Sequence, residues 1–366
     1  MKKFKVMLCL FCAMLFFQYC SKKDEVPAEI AAITPVVTTT SGIEADAPIL
    51  PSSPYDYLIN FPAHIQADLI LNDNTPNTNQ ITNDGATLGR VLFYDKKLSR
   101  NNTVSCGSCH QQQFAFDDNL PLSKGLDGGN TSRNSMAILN LRFYRSGRMF
   151  WDERSTTLER QALQPIQNHV EMDLTLTELE NKVRALSYYP ALFQKAFGTT
   201  TIDSGRMARA LSQFERSIVT YQAKYDRVKQ GLETFTPAEA AGEQLFLNAL
   251  LPNNTCASCH TPPMFLTSNP AQGFALADAN DLGINNQRRF KSGSLRNISN
   301  RTSLFHNGSV PNVQAMLNSN GPGSPIPNVP AHSIGPQNVP NMLAFLNTLT
   351  DNTILTDPKF SNPFIK

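Results

Sequence analysis

The chain has 366 residues, enough for two ordinary cores, and its 41% hydrophobic and 17% charged content fit a globular protein. A net charge of +2, with no basic run interleaved with aromatics beyond the first residues, gives no reason to expect a nucleic-acid partner.

Lys2, Lys3 and Lys5 precede an apolar run from Val6 to Tyr19, too short for a membrane span and read as a secretory signal. The run ends at Cys20, a position that resembles the acylated first residue of a bacterial lipoprotein, although Phe17-Gln18-Tyr19 is bulkier than the usual lipobox. The expectation is a signal peptide over 1–19 and a chain held by lipid on Cys20 at the cell envelope, in the periplasm or facing outside. An uncleaved anchor would also leave the bulk outside the cytoplasm. Residues 20–54, rich in Pro, Thr, Ala and Ser without a period, read as a flexible tether.

Folded sequence is expected from Tyr55, with Ile65 to Leu71 amphipathic. A helix follows from Asp84, its candidate cap, to Tyr94, with Leu88, Val91 and Leu92 on one face. It leads to Cys106-Gly107-Ser108-Cys109-His110. The loop beyond carries Gly125, Gly128 and Gly129, which lack the lysine of a phosphate loop. Thr156 to Leu163 reads as helical, Thr177 to Glu180 as a capping box, and Met207 to Lys229 as the longest periodic segment, with Leu211, Phe214, Ile218 and Tyr221 inward. Thr236-Pro237-Ala238-Glu239 opens a helix to Leu247 that leads to Cys256-Ala257-Ser258-Cys259-His260. A last helix spans Val339 to Leu349, and strand signals are sparse.

Cys-x-x-Cys-His is the attachment pattern of a c-type haem. Two thiols one helical turn apart reach the two vinyl groups, and the next residue sets an imidazole under the iron. Two copies make chance a poor account. Of seven cysteines, Cys9 and Cys12 leave with the signal and Cys20 carries lipid, so the two motifs use the remaining four. Two disulfides or a zinc site would use those four as well, but would leave His110 and His260 without a role. The sequence therefore reads as mainly α, with two cytochrome c-like haem domains, 55–230 and 231–366, and two covalently bound haem c groups.

Further stretches carry a family likeness. Leu88-Gly89-Arg90, Leu92-Phe93-Tyr94-Asp95, Arg133-Asn134-Ser135, Phe150-Trp151-Asp152 with Arg154, Val170-Glu171-Met172, Leu295-Arg296-Asn297 and Phe305-His306-Asn307-Gly308 stand in order around the two motifs. Together they resemble the bacterial di-haem cytochrome c peroxidases, related to the di-haem enzymes that mature methylamine dehydrogenase. The resemblance implies reduction of hydrogen peroxide with electrons from a small cytochrome c or cupredoxin, and it admits a homodimer. It makes the N-terminal haem peroxidatic, with Glu171 as catalytic acid/base and Gln161 in the distal pocket. Trp151 becomes the electron bridge between the haems, and Asn134 a side-chain ligand of an interdomain calcium ion. Read without that likeness, Glu171 is a solvated loop carboxylate and Trp151 a core residue.

Two departures follow from the same comparison. The loop histidine that caps the resting N-terminal haem in many members corresponds to Leu126, and no histidine occurs between His110 and His169. Leucine cannot ligate iron, so the first haem is expected high-spin and open at rest. On the second haem, the Met or Tyr ligand position corresponds to Asn320, a poor iron ligand. Met316, one helical turn earlier, is the expected substitute because a thioether raises the potential; His332 is the rival, and Met316 as core packing the bland alternative. His306 is a candidate donor to a haem propionate, while His64 and His169 receive no role. The rival readings are an enzyme oxidising a protein or organic substrate through high-valent haem, a passive di-haem carrier, and a metal or disulfide module without haem.

Overall fold

The computed structural model describes residues 47–248, 255–266, 281–287, 289–319 and 332–364. Cys20, most of the expected tether and Asn320 lie outside the described residues. Among the described residues there are isolated β-bridges but no strand, and α-helices carry the fold as the sequence implies. In chain order they are α1 (Ala63–Asn72), α2 (Asn83–Tyr94), α3 (Cys106–Cys109), α4 (Leu158–Ala162), α5 (Gln164–Gln167), α6 (Leu176–Arg184) and α7 (Tyr189–Phe197). There follow α8 (Ser204–Ser217), α9 (Lys224–Lys229), α10 (Pro237–Leu247), α11 (Cys256–Cys259), α12 (Val313–Leu317) and α13 (Val339–Asn347).

Helix starts follow local chemistry, with three changes from expectation. The cap of α2 is Thr82, whose side chain accepts from the Gly85 amide, while Asp84 lies in the first turn where its charge suits the helix dipole. The capping box of α6 is Thr175 with Glu178, two residues before the expected pair. The long segment from Met207 breaks at Ile218, the C-cap of α8, and resumes as α9. Polar side chains from elsewhere cause the break. Asn140 accepts from the Thr220 amide and donates to its hydroxyl, and Asp351 accepts from the amides of Tyr221 and Gln222. The start of α10 is as expected, with Thr236 and Glu239 reciprocally capped and Pro237 in the first turn.

The two haem motifs are presented by matching helix crossings. Helix α2 packs on α8 and α10 on α13. A Cβ on Gly89 would overlap the Ala210 carbonyl, and one on Gly242 the Asn341 carbonyl. Only glycine allows backbones this close. Each crossing sits just ahead of a motif helix, α3 or α11, and so fixes where the thiols emerge.

One apolar cluster surrounds the first crossing and includes Phe93, Phe116, Phe143 and Phe214; a second includes Phe246, Phe265, Phe345 and Leu346. Each fully buried aromatic contributes roughly 1.5–3 kcal/mol. The last residues return to the first cluster through Ile354 and Phe360. Tyr94 Oη donates to the Phe360 carbonyl at 2.7 Å, Arg90 Nη1 to the Pro358 carbonyl at 2.9 Å, and the Ile49 amide to the Pro363 carbonyl at 2.8 Å.

Glu159 on α4 ties that helix to α8. It accepts from Arg216 Nη1 at 2.6 Å and Nη2 at 3.2 Å, and from Asn79 Nδ2 at 3.0 Å. Burial would raise its pKa, but the Arg216 guanidinium and Asn79 outweigh it and hold the carboxyl at about 2. Against an unfolded value near 4.5, this contributes on the order of 3 kcal/mol at neutral pH. The contribution is full above about pH 4.5 and is lost as pH falls towards 2. Glu159→Gln should therefore lower stability at pH 7 by about 2 kcal/mol and flatten the acid limb, measured by urea unfolding across pH. An unchanged acid limb would discount the pair.

Candidate active site

Cys106, Cys109 and His110 open onto a cavity together with Gln161, Glu171 and Glu215. His110 Nδ1 lies 3.1 Å from the Phe116 carbonyl, which can only accept, so Nδ1 carries the proton and Nε2 offers its lone pair. Phe116 is held at positive φ by the turn that closes the Gln111–Asp117 bridge. Burial pushes the imidazole below its ordinary pKa, with the Phe116 carbonyl opposing, so it stays neutral, as an iron ligand must. A similar turn follows the second motif, although the buried His260 Nδ1 has no hydrogen-bond partner among the described residues. Phe265 has positive φ beside the Thr261–Leu266 bridge, and burial takes His260 down to about 4 against the opposing Phe265 and Gly293 carbonyls.

The loop holding Glu171 is fixed by its own backbone. The Asn168 carbonyl accepts from the amides of Glu171, Met172 and Asp173, and the Val170 carbonyl accepts from Leu126 at 2.8 Å. Leu126 is thus buried behind the loop by a backbone bond. Glu171 itself is half-buried and lines three cavities, two of which also contain Gln161. Burial raises its pKa above the ordinary carboxylate range, and the Arg154 charge opposes this. His169, two residues before it, is exposed.

Trp151 joins this region to the second motif. It lines the larger neighbouring cavity with His110 and Glu171, and also the cavity with Cys256, Cys259 and His260. Its Nε1 donates to the Asn134 carbonyl at 2.8 Å and its carbonyl accepts from Lys291 at 2.8 Å. The turn that presents it has positive φ at Phe150 and Glu153, a local strain of order 1 kcal/mol at each. Arg133 pairs with Asp152 and Asp281, each at 2.7 Å, and closes that turn onto the chain around His306. The His306 ring stacks on Phe290 at 3.6 Å.

The second cavity is lined by Cys256, Cys259, His260, Met316 and His332 among others. Both candidate ligands opposite His260 therefore reach it. Its thiol–thiol–imidazole edge has the chemistry that holds a c-type haem, as has that of the first.

Asn134, the expected calcium ligand, has protein partners at both ends of its amide. Its Nδ2 donates to the Leu120 carbonyl at 2.8 Å, and its Oδ1 accepts from Arg301 Nη2 at 3.3 Å. Arg301 is held in turn by Asp117 at 2.6 Å. The positive charge at this point is the Arg301 guanidinium.

Glu215 went unnoticed in the sequence. Buried in α8, it lines the first cavity, and burial raises its pKa to about 8, with Arg216 opposing and Glu159 adding to the rise. A signal existed: with Leu211, Phe214 and Ile218 it completes the inward i, i+3, i+4, i+7 stripe.

The family model of di-haem cytochrome c peroxidases matches residues 83–234. The methylamine utilization protein MauG of Methylophilus methylotrophus is 30% identical over 252 residues, covering 66% of this chain and 73% of that protein. The chain belongs to the di-haem cytochrome c peroxidase family. It is accordingly an oxidoreductase of the peroxidase class, and the family's two c-type haems correspond to its two motifs. Cytochrome c551 peroxidase of Nitrosomonas europaea is 29% identical over 298 residues, covering 77% of this chain and 83% of that one. Among solved structures, a MauG-like protein associated with microbial copper homeostasis aligns with a TM-score of 0.70 at 27% identity, over 84% of this chain and 99% of the other. The di-haem peroxidase fold thus extends beyond the segment that the family model matches.

Proposed function

We propose that this enzyme reduces hydrogen peroxide to water, taking two electrons from a small cytochrome c or cupredoxin and two protons from solvent. The N-terminal haem site is the reaction site and the C-terminal one the relay, in halves spanning 55–230 and 231–366. The observation that carries this reading is the shared wall: Glu171 and Gln161 face the cavity that His110 opens onto, while Trp151 lines both the neighbouring cavity that it shares with His110 and Glu171 and the cavity of Cys256, Cys259 and His260.

Bound haem supplies the iron-centred electron transfer. Cys106 and Cys109 would hold that haem covalently, and His110 would ligate its iron through Nε2. Glu171 takes a proton from one peroxide oxygen and delivers it to the other, so that the O–O bond breaks with one water as leaving group, and the remaining oxygen leaves as the second water on receiving the two donor electrons and the two solvent protons. Gln161 orients the peroxide by hydrogen bonding. Trp151 shortens the electron path from the second cavity. Leu126 offers no ligand to the first site, so no reductive activation is needed. The chain is held in the periplasm or at the cell surface by lipid on Cys20. Among the described residues no helix is long and apolar enough to cross a membrane.

Steady-state peroxide turnover with a reduced small cytochrome tests the activity, and the oxidised absorption spectrum tests the open site. Rapid donor oxidation and a high-spin component without prior reduction are expected. Two six-coordinate low-spin haems would overturn the open site, and absence of donor-dependent turnover would overturn the peroxidase. The second reading, oxidation of a protein or organic substrate at the same site, draws support from the MauG-named relatives and predicts substrate-dependent peroxide consumption with slow donor oxidation.

A further inference from the structure

We propose that His332 is the residue opposite His260 in the second cavity, so that the C-terminal haem is held between two imidazoles and Met316 is only part of the wall. This rests on the reading of two bound haems and sharpens it.

The distance carries the argument. The ring centroids of His260 and His332 are 6.5 Å apart, with 59° between the ring planes. An imidazole nitrogen bonds a transition metal at about 2 Å, which puts the ring centroid roughly 3 Å from the ion. Two such rings on opposite faces of one ion therefore span roughly 6 Å. A direct hydrogen bond between the rings would draw the centroids to roughly 5 Å, and stacking would draw them closer still. The centroid separation of 6.5 Å matches the span of two imidazoles on one metal ion. Both rings line the same cavity as Cys256 and Cys259, so the thiols and the two imidazoles address a single space.

The surroundings hold His332 in this place. The Phe305 ring meets it edge-on at 5.4 Å. Two residues on, the Ile334 amide donates to the Leu317 carbonyl at 3.1 Å, fastening the segment to the end of α12. Ile334 also packs against the second core. Met316 belongs to that core together with Val313 and Leu317, and its burial is explained by packing alone.

Exchange of a thioether for a second imidazole lowers the potential of a haem, since Met/His ligation is the arrangement that raises it. The C-terminal haem is then closed on both faces, unable to bind peroxide, and tuned below a thioether-ligated relay.

The test uses the full chain loaded with haem. Pyridine haemochrome content gives the number of covalent haems; fewer than two per chain would sink the di-haem reading and this assignment together. With two present, the oxidised protein should show the low-spin electron paramagnetic resonance signal of a bis-imidazole haem and no sulfur-to-iron charge-transfer band. His332→Met should gain that band and raise the midpoint potential of the C-terminal haem. His332→Ala should turn its low-spin signal into a high-spin one, while Met316→Leu leaves spectrum and potential as they were. A sulfur charge-transfer band in the unaltered protein that Met316→Leu abolishes would overturn the assignment. So would a low-spin signal that survives both His332 substitutions.

Discussion

The Glu171→Gln enzyme should turn over hydrogen peroxide with kcat/KM lowered about 10²- to 10⁴-fold, the contribution of a positioned proton carrier. That range corresponds to roughly 3–5 kcal/mol of barrier. Glutamine keeps the volume and a hydrogen bond but cannot accept the peroxide proton. The loop is fixed by backbone bonds to the Asn168 and Val170 carbonyls, which the substitution leaves intact, so haem content and the oxidised spectrum should not change. The pH profile separates this role from a structural one. Glu171 must be ionised to accept the proton, and burial raises its pKa with Arg154 opposing. The acid limb of kcat/KM should therefore lie above the ordinary glutamate value of about 4.3 and disappear in Glu171→Gln. Arg154→Ala removes the opposing charge and should move that limb to higher pH. Glu215 is the competitor, since it lines the same cavity as a buried acid. If Glu171→Gln turns over normally and Glu215→Gln does not, the proton carrier has been assigned to the wrong carboxylate.

Local signals in the sequence reached far because both haem motifs are covalent patterns with a helix ahead of them. The repeat seen as helix, Cys-x-x-Cys-His, helix, Cys-x-x-Cys-His is present in three dimensions as two glycine crossings, at Gly89 and Gly242. What the sequence concealed depends on long-range contacts. Periodicity continues through Ile218, yet Asn140 and Asp351 take over the backbone groups of residues 220–222 from elsewhere in the chain. The slip from Thr175 to Thr177 is a register ambiguity between two threonines that each precede a glutamate by three residues or fewer. Asn134 illustrates the limit best. A family correspondence gives its position, but its chemistry here depends on Arg301, a residue 167 positions away that donates to its Oδ1. His332, which the sequence offers only as the rival of Met316, lies 6.5 Å ring to ring from His260, a proximity that spacing from His306 does not supply.

Asp226→Ala should destabilise the haem-loaded protein by about 3–5 kcal/mol, because it leaves a buried guanidinium without its partner. The side chains of Asp226 and Arg296 are both 0% exposed and pair through two bonds, at 2.8 and 2.7 Å. Asp226 Oδ1 lies 2.9 Å from His64 Nε2 on α1, and Oδ2 accepts from the Ala223 amide at 3.0 Å. Burial raises the Asp226 pKa, yet Arg296 and His64 lower it further, and the net shift is downward. Its contribution is therefore present above the unfolded value near 3.9 and is lost as pH falls below that through the depressed folded value. Arg296 also donates to the Pro263 carbonyl at 2.7 Å, three residues beyond His260, so the pair braces the turn after the second haem motif. Urea unfolding followed by the Soret band and by far-ultraviolet circular dichroism should show the loss, with loosening at the second haem. A pair swapped for apolar residues of similar size, Asp226→Leu with Arg296→Met, should recover most of it, since the cost lies in the uncompensated charge and not in the absence of the bond. A single substitution costing under about 1 kcal/mol, or a double variant no better than the single, would show that water reaches Arg296 and that this charge pair does not hold α1, α9 and the haem turn together.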